Sequence, residues 1–238
     1  MIDLSEHEWR KFSQNGEDGV IARIFDLISP VDRFYVEFGV GNGKVCNTRC
    51  LRETCGWSGL SMDKDHACEE IGLVKQFITR DNITDIFREC AVPLVFDLLS
   101  VDIDYNDFHV LLAILRGGYR PRVLICEYNA SLSPGDDKVV VYDAGRGWAR
   151  NRYFGASLLA LTRLVRTFGY ELIYAEKRGV NAFFVEKAWA PEFKDHADVD
   201  KIYRLPAYGK QKKKQKPFTW PAEWKFLSSM ECMAVQDA

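Results

Sequence analysis

Residues 34–43 read Phe34-Tyr35-Val36-Glu37-Phe38-Gly39-Val40-Gly41-Asn42-Gly43, and this stretch constrains the fold more than any other. An apolar, β-branched and aromatic run marks a buried strand. Three glycines then fall at alternate positions. Glycines there let the chain turn sharply and let a ligand press against bare backbone. The pattern describes a nucleotide-type pocket at the carboxyl end of a first strand.

Glu37 narrows the choice of ligand. A diphosphate wants exposed N–H groups and no adjacent negative charge. The dinucleotide spacing is Gly-x-Gly-x-x-Gly, whereas this loop is Gly-x-Gly-x-Gly with an acid just before it. A carboxylate suits S-adenosylmethionine, whose reactive half carries an ammonium and a sulfonium but no phosphate. The same features argue against an NAD-dependent oxidoreductase.

The chain has 238 residues, enough for one α/β domain with a sizeable core. Its formal net charge of -2 gives no global field for nucleic acid. No apolar run approaches the roughly 20 residues that span a bilayer. The N-terminus lacks a basic region followed by an apolar core, so no signal peptide is expected. The 7 Cys form no Cys-x-x-Cys pair, and no His/Cys pair follows Cys46, Cys50 and Cys55 at zinc spacing. Reduced thiols in a cytoplasmic protein are expected.

Strand-like and helix-like segments alternate, which predicts a parallel sheet covered on both faces. Helices are expected over 17–28, with Asn15 as cap, from near Thr48 to Gly56, and over 82–90, 107–116 and 156–168. Strands are expected at 34–38, 58–62, 73–79, 95–101, 123–126, 170–175 and 182–185. The short turn Lys177-Arg178-Gly179 makes the last two antiparallel. Residues 130–150 read as a long polar connection of the kind that often carries function. Residues 1–186 form the expected domain with its N-terminal helix, and 187–238 a C-terminal extension packed on it. Trp220 and Trp224 are the anchors, and the basic run Lys210–Lys216 reads as a solvated loop.

In this frame the chain resembles class I S-adenosylmethionine-dependent methyltransferases, and more narrowly the FkbM-type branch. The segments that carry the resemblance are Ser13-Gln14-Asn15-Gly16-Glu17-Asp18-Gly19, Val36 to Gly43, Gly59-Leu60-Ser61-Met62-Asp63 and Val101-Asp102-Ile103-Asp104. Cys126-Glu127-Tyr128-Asn129, Tyr153-Phe154-Gly155-Ala156-Ser157 and Gly179 to Val185 complete it. The family commonly has Asp-Val-Glu-Gly where this chain has Asp102-Ile103-Asp104-Tyr105, so a glycine is missing. The resemblance implies a Rossmann-like doubly wound sheet of seven strands with the last antiparallel. It also implies O-methylation of a hydroxyl on a sugar, glycan or secondary metabolite.

Candidate residues follow. Glu37, Gly39, Gly41 and Gly43 are expected around the methionine half of the cofactor. Asp63, with Asp65 as rival, stands about 20 residues past the glycines, where a carboxylate accepts both ribose hydroxyls. By the resemblance, Asp81 or Asn82 bonds the adenine amino group and Gln14 closes over the cofactor. Asn47 and Thr48 either contact the cofactor or cap the next helix. Asp102, Asp104, Glu127 and Asn129 lie at the ends of the fourth and fifth strands, the edge where open α/β sheets bind ligands. Asp102 also counts toward the cofactor. Asp102, Asp104 and Glu127 are the candidate general bases. Alternatively, with Asn129, they offer hard oxygen ligands to Mg²⁺, which would lower the acceptor hydroxyl pKa. Asn129, Arg146, Trp148 and Arg152 are assigned to the acceptor, since Arg and Trp grip a sugar face or an acidic group. His109 and His66 read as structural and adenosine-side residues respectively. The partner is a small-molecule or glycan acceptor. A small-molecule N-methyltransferase and a non-catalytic nucleotide-binding or interaction domain are the competing readings.

Overall fold

The computed structural model describes residues 1–208 and 219–235. The basic run Lys210–Lys216 lies outside the described residues. In chain order the strands are β1 (Phe34–Phe38), β2 (Ser58–Asp63), β3 (Leu73–Lys75), β4 (Val95–Val101), β5 (Arg120–Glu127), β6 (Val139–Val140), β7 (Tyr170–Ala175), β8 (Asn181–Glu186) and β9 (Phe226–Leu227). The α-helices are α1 (Glu17–Ile28), α2 (Arg49–Thr54), α3 (Ile83–Glu89), α4 (Asp107–Arg116), α5 (Leu158–Arg166), α6 (Val199–Ile202) and α7 (Ser229–Val235).

Seven strands form one sheet in the order β3-β2-β1-β4-β5-β8-β7. The first five pair in parallel, and β8 runs antiparallel to both β5 and β7. This is the α/β doubly wound sheet expected, with the last strand inserted beside β5 and not at the edge. Period-2 alternation explains its two cores. Val36, Leu99 and Leu124 pack with α3, α4 and α5. Tyr35, Leu98 and Val123 pack on the opposite face with Val20, Ile21 and Ile24 of α1. Strands buried on both faces read as near-continuous apolar runs, which made them visible in the sequence.

Several local expectations are corrected. Gly16, not Asn15, stands at the N-cap of α1, because the Asn15 N–H donates to Glu17 Oε2 at 2.7 Å. β3 stops at Lys75. Residues 76–79 turn away, with the Thr79 N–H held by Asn82 Oδ1 at 2.7 Å. The 130–150 connection contains β6, which pairs with β9 of the tail. Trp224 stacks on Tyr153 with ring centroids 5.5 Å apart. Among the described residues no helix is long and apolar enough to cross a membrane.

Candidate active site

The glycine loop hinges at Gly39, where φ is +69°. A β-carbon there would meet the Asp102 carbonyl oxygen at 1.7 Å. Only glycine lets the exit of β1 lie this close to the exit of β4. Gly41 turns its N–H onto Asp63 Oδ2 at 2.9 Å. Gly43 makes room for Ile71, whose Cδ1 would lie 2.4 Å from an added β-carbon. Its lack of a side chain therefore serves packing behind the loop.

Glu37 has a different job from the one its position suggests. Its carboxylate is buried and accepts the Asn47 N–H at 2.7 Å, the Thr48 N–H at 2.9 Å and the Thr48 hydroxyl. Burial raises its pKa, against the pull of those donors. Asn47 also spends its side-chain amide on Ser100 Oγ at 3.0 Å. Glu37, Asn47 and Thr48 thus staple the loop to the start of α2. They line neither of the two cavities that meet at Asp102.

The first of these cavities, about 150 Å³, is walled by Gly39, Asp63, Phe77, Ile78, Asp102 and Arg146, among others. Asp63 Oδ1 takes the N–H groups of Asp65 and His66 and the His66 ring. Burial opposes its ionisation, but those donors and the Gly41 N–H prevail and lower its pKa. It is therefore a fixed anion in the wall of this cavity, which its rival Asp65 does not line. Asp81 does not reach this cavity. It is exposed, accepts from the Tyr142 hydroxyl at 2.8 Å and pairs with Arg80. Asn82 ties the Thr79 N–H and the Phe77 carbonyl. It shapes the turn that presents Phe77 and Ile78, two wall residues the sequence did not single out.

Asp102 and Glu127 close β4 and β5, neighbours paired through Val101 and Cys126. A third carboxylate joins them from the first turn of α4. Single ligand oxygens of Asp102, Asp107 and Glu127 all lie within 4.8 Å of one another. Asp107 is 1% exposed. Its Oδ1 accepts the Ile103 N–H at 2.7 Å, while its Oδ2 and Glu127 Oε2 are buried without a partner. Burial, reinforced by mutual repulsion, raises Asp102 and Glu127 well above the carboxylate range and Asp107 to about 7. Asp104 is exposed, with φ at +69°. Protein crowded around its carboxyl nonetheless restricts hydration and raises its pKa, and Lys64 opposes this. Where the family pattern has glycine, Tyr105 is buried against Tyr153. The left-handed residue of this turn is Asp104 itself. Asp107 was missed because an acid at a helix start is normally a capping feature. The spacing of Asp102, Asp104 and Asp107 was the available signal.

The second cavity, about 290 Å³, is lined by Gln14, Glu127, Trp148, Phe154, Val180 and Tyr208 together with Asp102 and Asp104. Gln14 is held there because Asp18 Oδ2 accepts the Lys11, Phe12 and Ser13 N–H groups. Trp148 donates to the Asn151 carbonyl at 2.8 Å and meets Phe154 edge-on. Arg146 lies over the rings of Tyr105 and Tyr153, 5.1 Å from each, on the first-cavity side. Asn129 is buried. Its Nδ2 donates to the Arg152 and Phe154 carbonyls and its Oδ1 accepts the Ser131 N–H. It therefore braces the loop through Arg152 and Phe154, with both amide N–H groups and one lone pair of Oδ1 already committed. Arg152 enters through its carbonyl. Tyr208, beyond the segments of the resemblance, and Phe154 are wall residues the sequence reading did not assign. His109 is structural, with Nε2 2.9 Å from the Val140 carbonyl.

A further cavity, about 350 Å³, lies elsewhere, between α1 and α2, with Ile21, Phe25, Leu51 and Trp57 in its walls. It holds no part of the carboxylate cluster.

The topology and the ligand edge define a Rossmann-like α/β protein whose site sits at the carboxyl ends of β1, β2, β4 and β5. The sequence matches no family model and no curated protein. Among solved structures it is similar to the METTL16 MTase domain, with TM-score 0.42 and 15% identity over 71% of this chain and 66% of that one. A Klebsiella pneumoniae protein named as a candidate O-methyltransferase has TM-score 0.40 and 15% identity over 76% of this chain and 82% of that one. The glycopeptide N-methyltransferase MtfA, complexed with S-adenosyl-L-methionine, has TM-score 0.36 and 14% identity over 71% and 92%. All three similarities are weak, and the chain spans just under two thirds of the METTL16 domain.

Proposed function

We propose that the chain is an S-adenosylmethionine-dependent methyltransferase that methylates a hydroxyl on a small polyhydroxylated acceptor such as a sugar or glycan. One observation carries the reading: two cavities share a wall made of Asp102 and Asp104. The first fits a nucleoside without phosphates. Asp63 offers an ionised acceptor for ribose hydroxyls, Phe77 and Ile78 offer apolar faces, and Arg146 supplies positive charge for a carboxylate. S-adenosylmethionine, when bound, supplies an electrophilic methyl group on a sulfonium. The second cavity combines Trp148, Phe154 and Tyr208 with carboxylates, the mixture that grips a sugar ring by its apolar face and its hydroxyls.

The chain's own residues then have two tasks. Gln14 and the aromatic walls hold the acceptor against the shared wall and exclude water. The carboxylates receive the hydroxyl proton as oxygen attacks. Asp104 is the candidate base, because it is exposed and borders both cavities. Residues 1–186 would form the catalytic domain and 187–238 an extension on it. The free state of all seven cysteines supports a reducing, cytoplasmic setting.

Thermal stability with S-adenosylhomocysteine and with NAD tests the reading. Stabilisation by the first alone is expected. Stabilisation by NAD alone would overturn it. Stabilisation by S-adenosylhomocysteine without methyl transfer to any hydroxylated or amino acceptor would favour a non-catalytic binding domain.

A further inference from the structure

Asp102 and Glu127 sit at the tips of the adjacent strands β4 and β5. The charges acting on each are themselves carboxylates: Asp107 and Asp104 act on both, Glu37 and Glu17 on Asp102 as well. Such a cluster alone is common on proteins. Asp107 is a separate observation, because it arrives from a different element and is 1% exposed. One of its oxygens is satisfied by the Ile103 N–H, yet Oδ2 is buried with no partner on a carboxylate that reaches the cluster. An orphaned buried carboxylate oxygen costs about 1–3 kcal/mol or more. Glu127 Oε2 is orphaned in the same way. One oxygen from each of the three carboxylates lies within 4.8 Å of the others, and two of these carboxylates carry a buried oxygen without a partner, so the set offers only hard oxygen donors.

We propose that Asp102, Asp107 and Glu127 bind one divalent cation of the Mg²⁺ or Mn²⁺ type, leaving its open side toward the second cavity. Oxygen-only ligation suits these ions, and they keep several water positions when few carboxylates hold them. The role of the ion rests on the methyltransferase reading, but its binding does not. An acceptor hydroxyl that replaces one water on the ion loses part of its hold on its proton. Its oxygen lone pair forms the new C–O bond, the C–S bond breaks with its electron pair moving to sulfur, and the hydroxyl proton goes to Asp104. The products are a methyl ether and S-adenosylhomocysteine. In this arrangement Asp104 is the base, and Asp102 and Glu127 are ligands. Asp107 replaces Asn129, whose amide is already committed to the loop.

The test is Mn²⁺ binding to the chelator-treated full chain, followed by electron paramagnetic resonance of the free ion without cofactor or acceptor. One saturable ion per chain is expected. Asp107→Asn keeps the carbonyl that accepts the Ile103 N–H and removes an anionic ligand, so its affinity should fall at least about tenfold. Glu127→Gln should do the same and carries the test if Asp107→Asn does not fold. Mg²⁺ should compete with Mn²⁺ in the wild-type chain. Absence of saturable binding, or equal binding in both variants, would overturn the proposal and leave protons as the neutralising species. The same preparation is assayed for stabilisation by S-adenosylhomocysteine. Loss of ion binding with that stabilisation intact refutes the ion alone.

Discussion

Gly39 and Asp102 approach so closely that a β-carbon on the first would lie 1.7 Å from the carbonyl oxygen of the second. Two strand exits are locked edge to edge there, and each feeds one wall of the first cavity. Gly39→Ala must therefore move backbone, and it adds the cost of φ at +69°, about 1–2 kcal/mol for an L-residue. A total loss of about 2–4 kcal/mol in urea unfolding is expected, with S-adenosylhomocysteine affinity reduced at least about tenfold in calorimetry. Gly41→Ala is the control, since no atom lies within 4 Å of its added carbon. It should show only the backbone cost, about 1–2 kcal/mol. Equal effects of the two substitutions would refute the close-approach argument.

Asp63 links the glycine loop to the next strand exit through the Gly41 N–H, and it lines the first cavity, where the proposed function puts the ribose. Asp63→Asn preserves shape and one carbonyl acceptor, so the turn through Asp65 and His66 should survive. The fixed negative charge is lost. S-adenosylhomocysteine binding by isothermal calorimetry should weaken by about 10–100-fold, corresponding to about 1.4–2.8 kcal/mol. Wild-type affinity in this variant would reduce Asp63 to a loop-holding residue.

Glu37 joins its strand to the head of α2 by accepting from Asn47 and Thr48. In Glu37→Gln the amide nitrogen must face a donor whichever way it turns. One buried N–H or hydroxyl is then left unpaired. Chemical denaturation should show a loss of about 1–3 kcal/mol. Thr48→Val removes only the hydroxyl donor. Combined with Glu37→Gln, it should cost less than the sum of the single changes, because the two residues share one hydrogen-bond group.

The frame of this molecule was readable in its sequence for a physical reason. Strands buried on both faces leave apolar runs, and their tips at Asp63, Asp102 and Glu127 fall where the runs end. Side-chain allegiance was not readable. Asn129 and Glu37 have the chemistry of ligand-binding groups, yet backbone groups brought in by the fold use them up. Asp107 looks like a helix-start acid, and only the packing of α4 beside β4 and β5 turns it into the third carboxylate. Phe77, Ile78 and Tyr208 are apolar or half-apolar residues in polar stretches, with no periodicity to mark them as cavity walls.

His109 gives the chain a pH-dependent weakness outside the site. The ring is buried in α4, with Nε2 2.9 Å from the Val140 carbonyl and Nδ1 without a partner. The contact to a carbonyl places a proton on Nε2, and burial with no partner on Nδ1 favours the neutral ring. Burial lowers its pKa from 6.5 to about 4, with the Val140 carbonyl opposing and Arg80 adding to the fall. Between these values the unfolded chain binds a proton that the folded chain refuses. Stability from this group is complete above 6.5, declines as pH falls, and levels off below about 4. The full span corresponds to about 3 kcal/mol. In His109→Gln the side-chain amide donates to the same carbonyl and does not titrate. Urea midpoints of both proteins, compared at about pH 7 and about pH 5, should show the wild-type chain losing about 2 kcal/mol more than the variant. A difference between the two proteins that does not change with pH would show that His109 is not the titrating group.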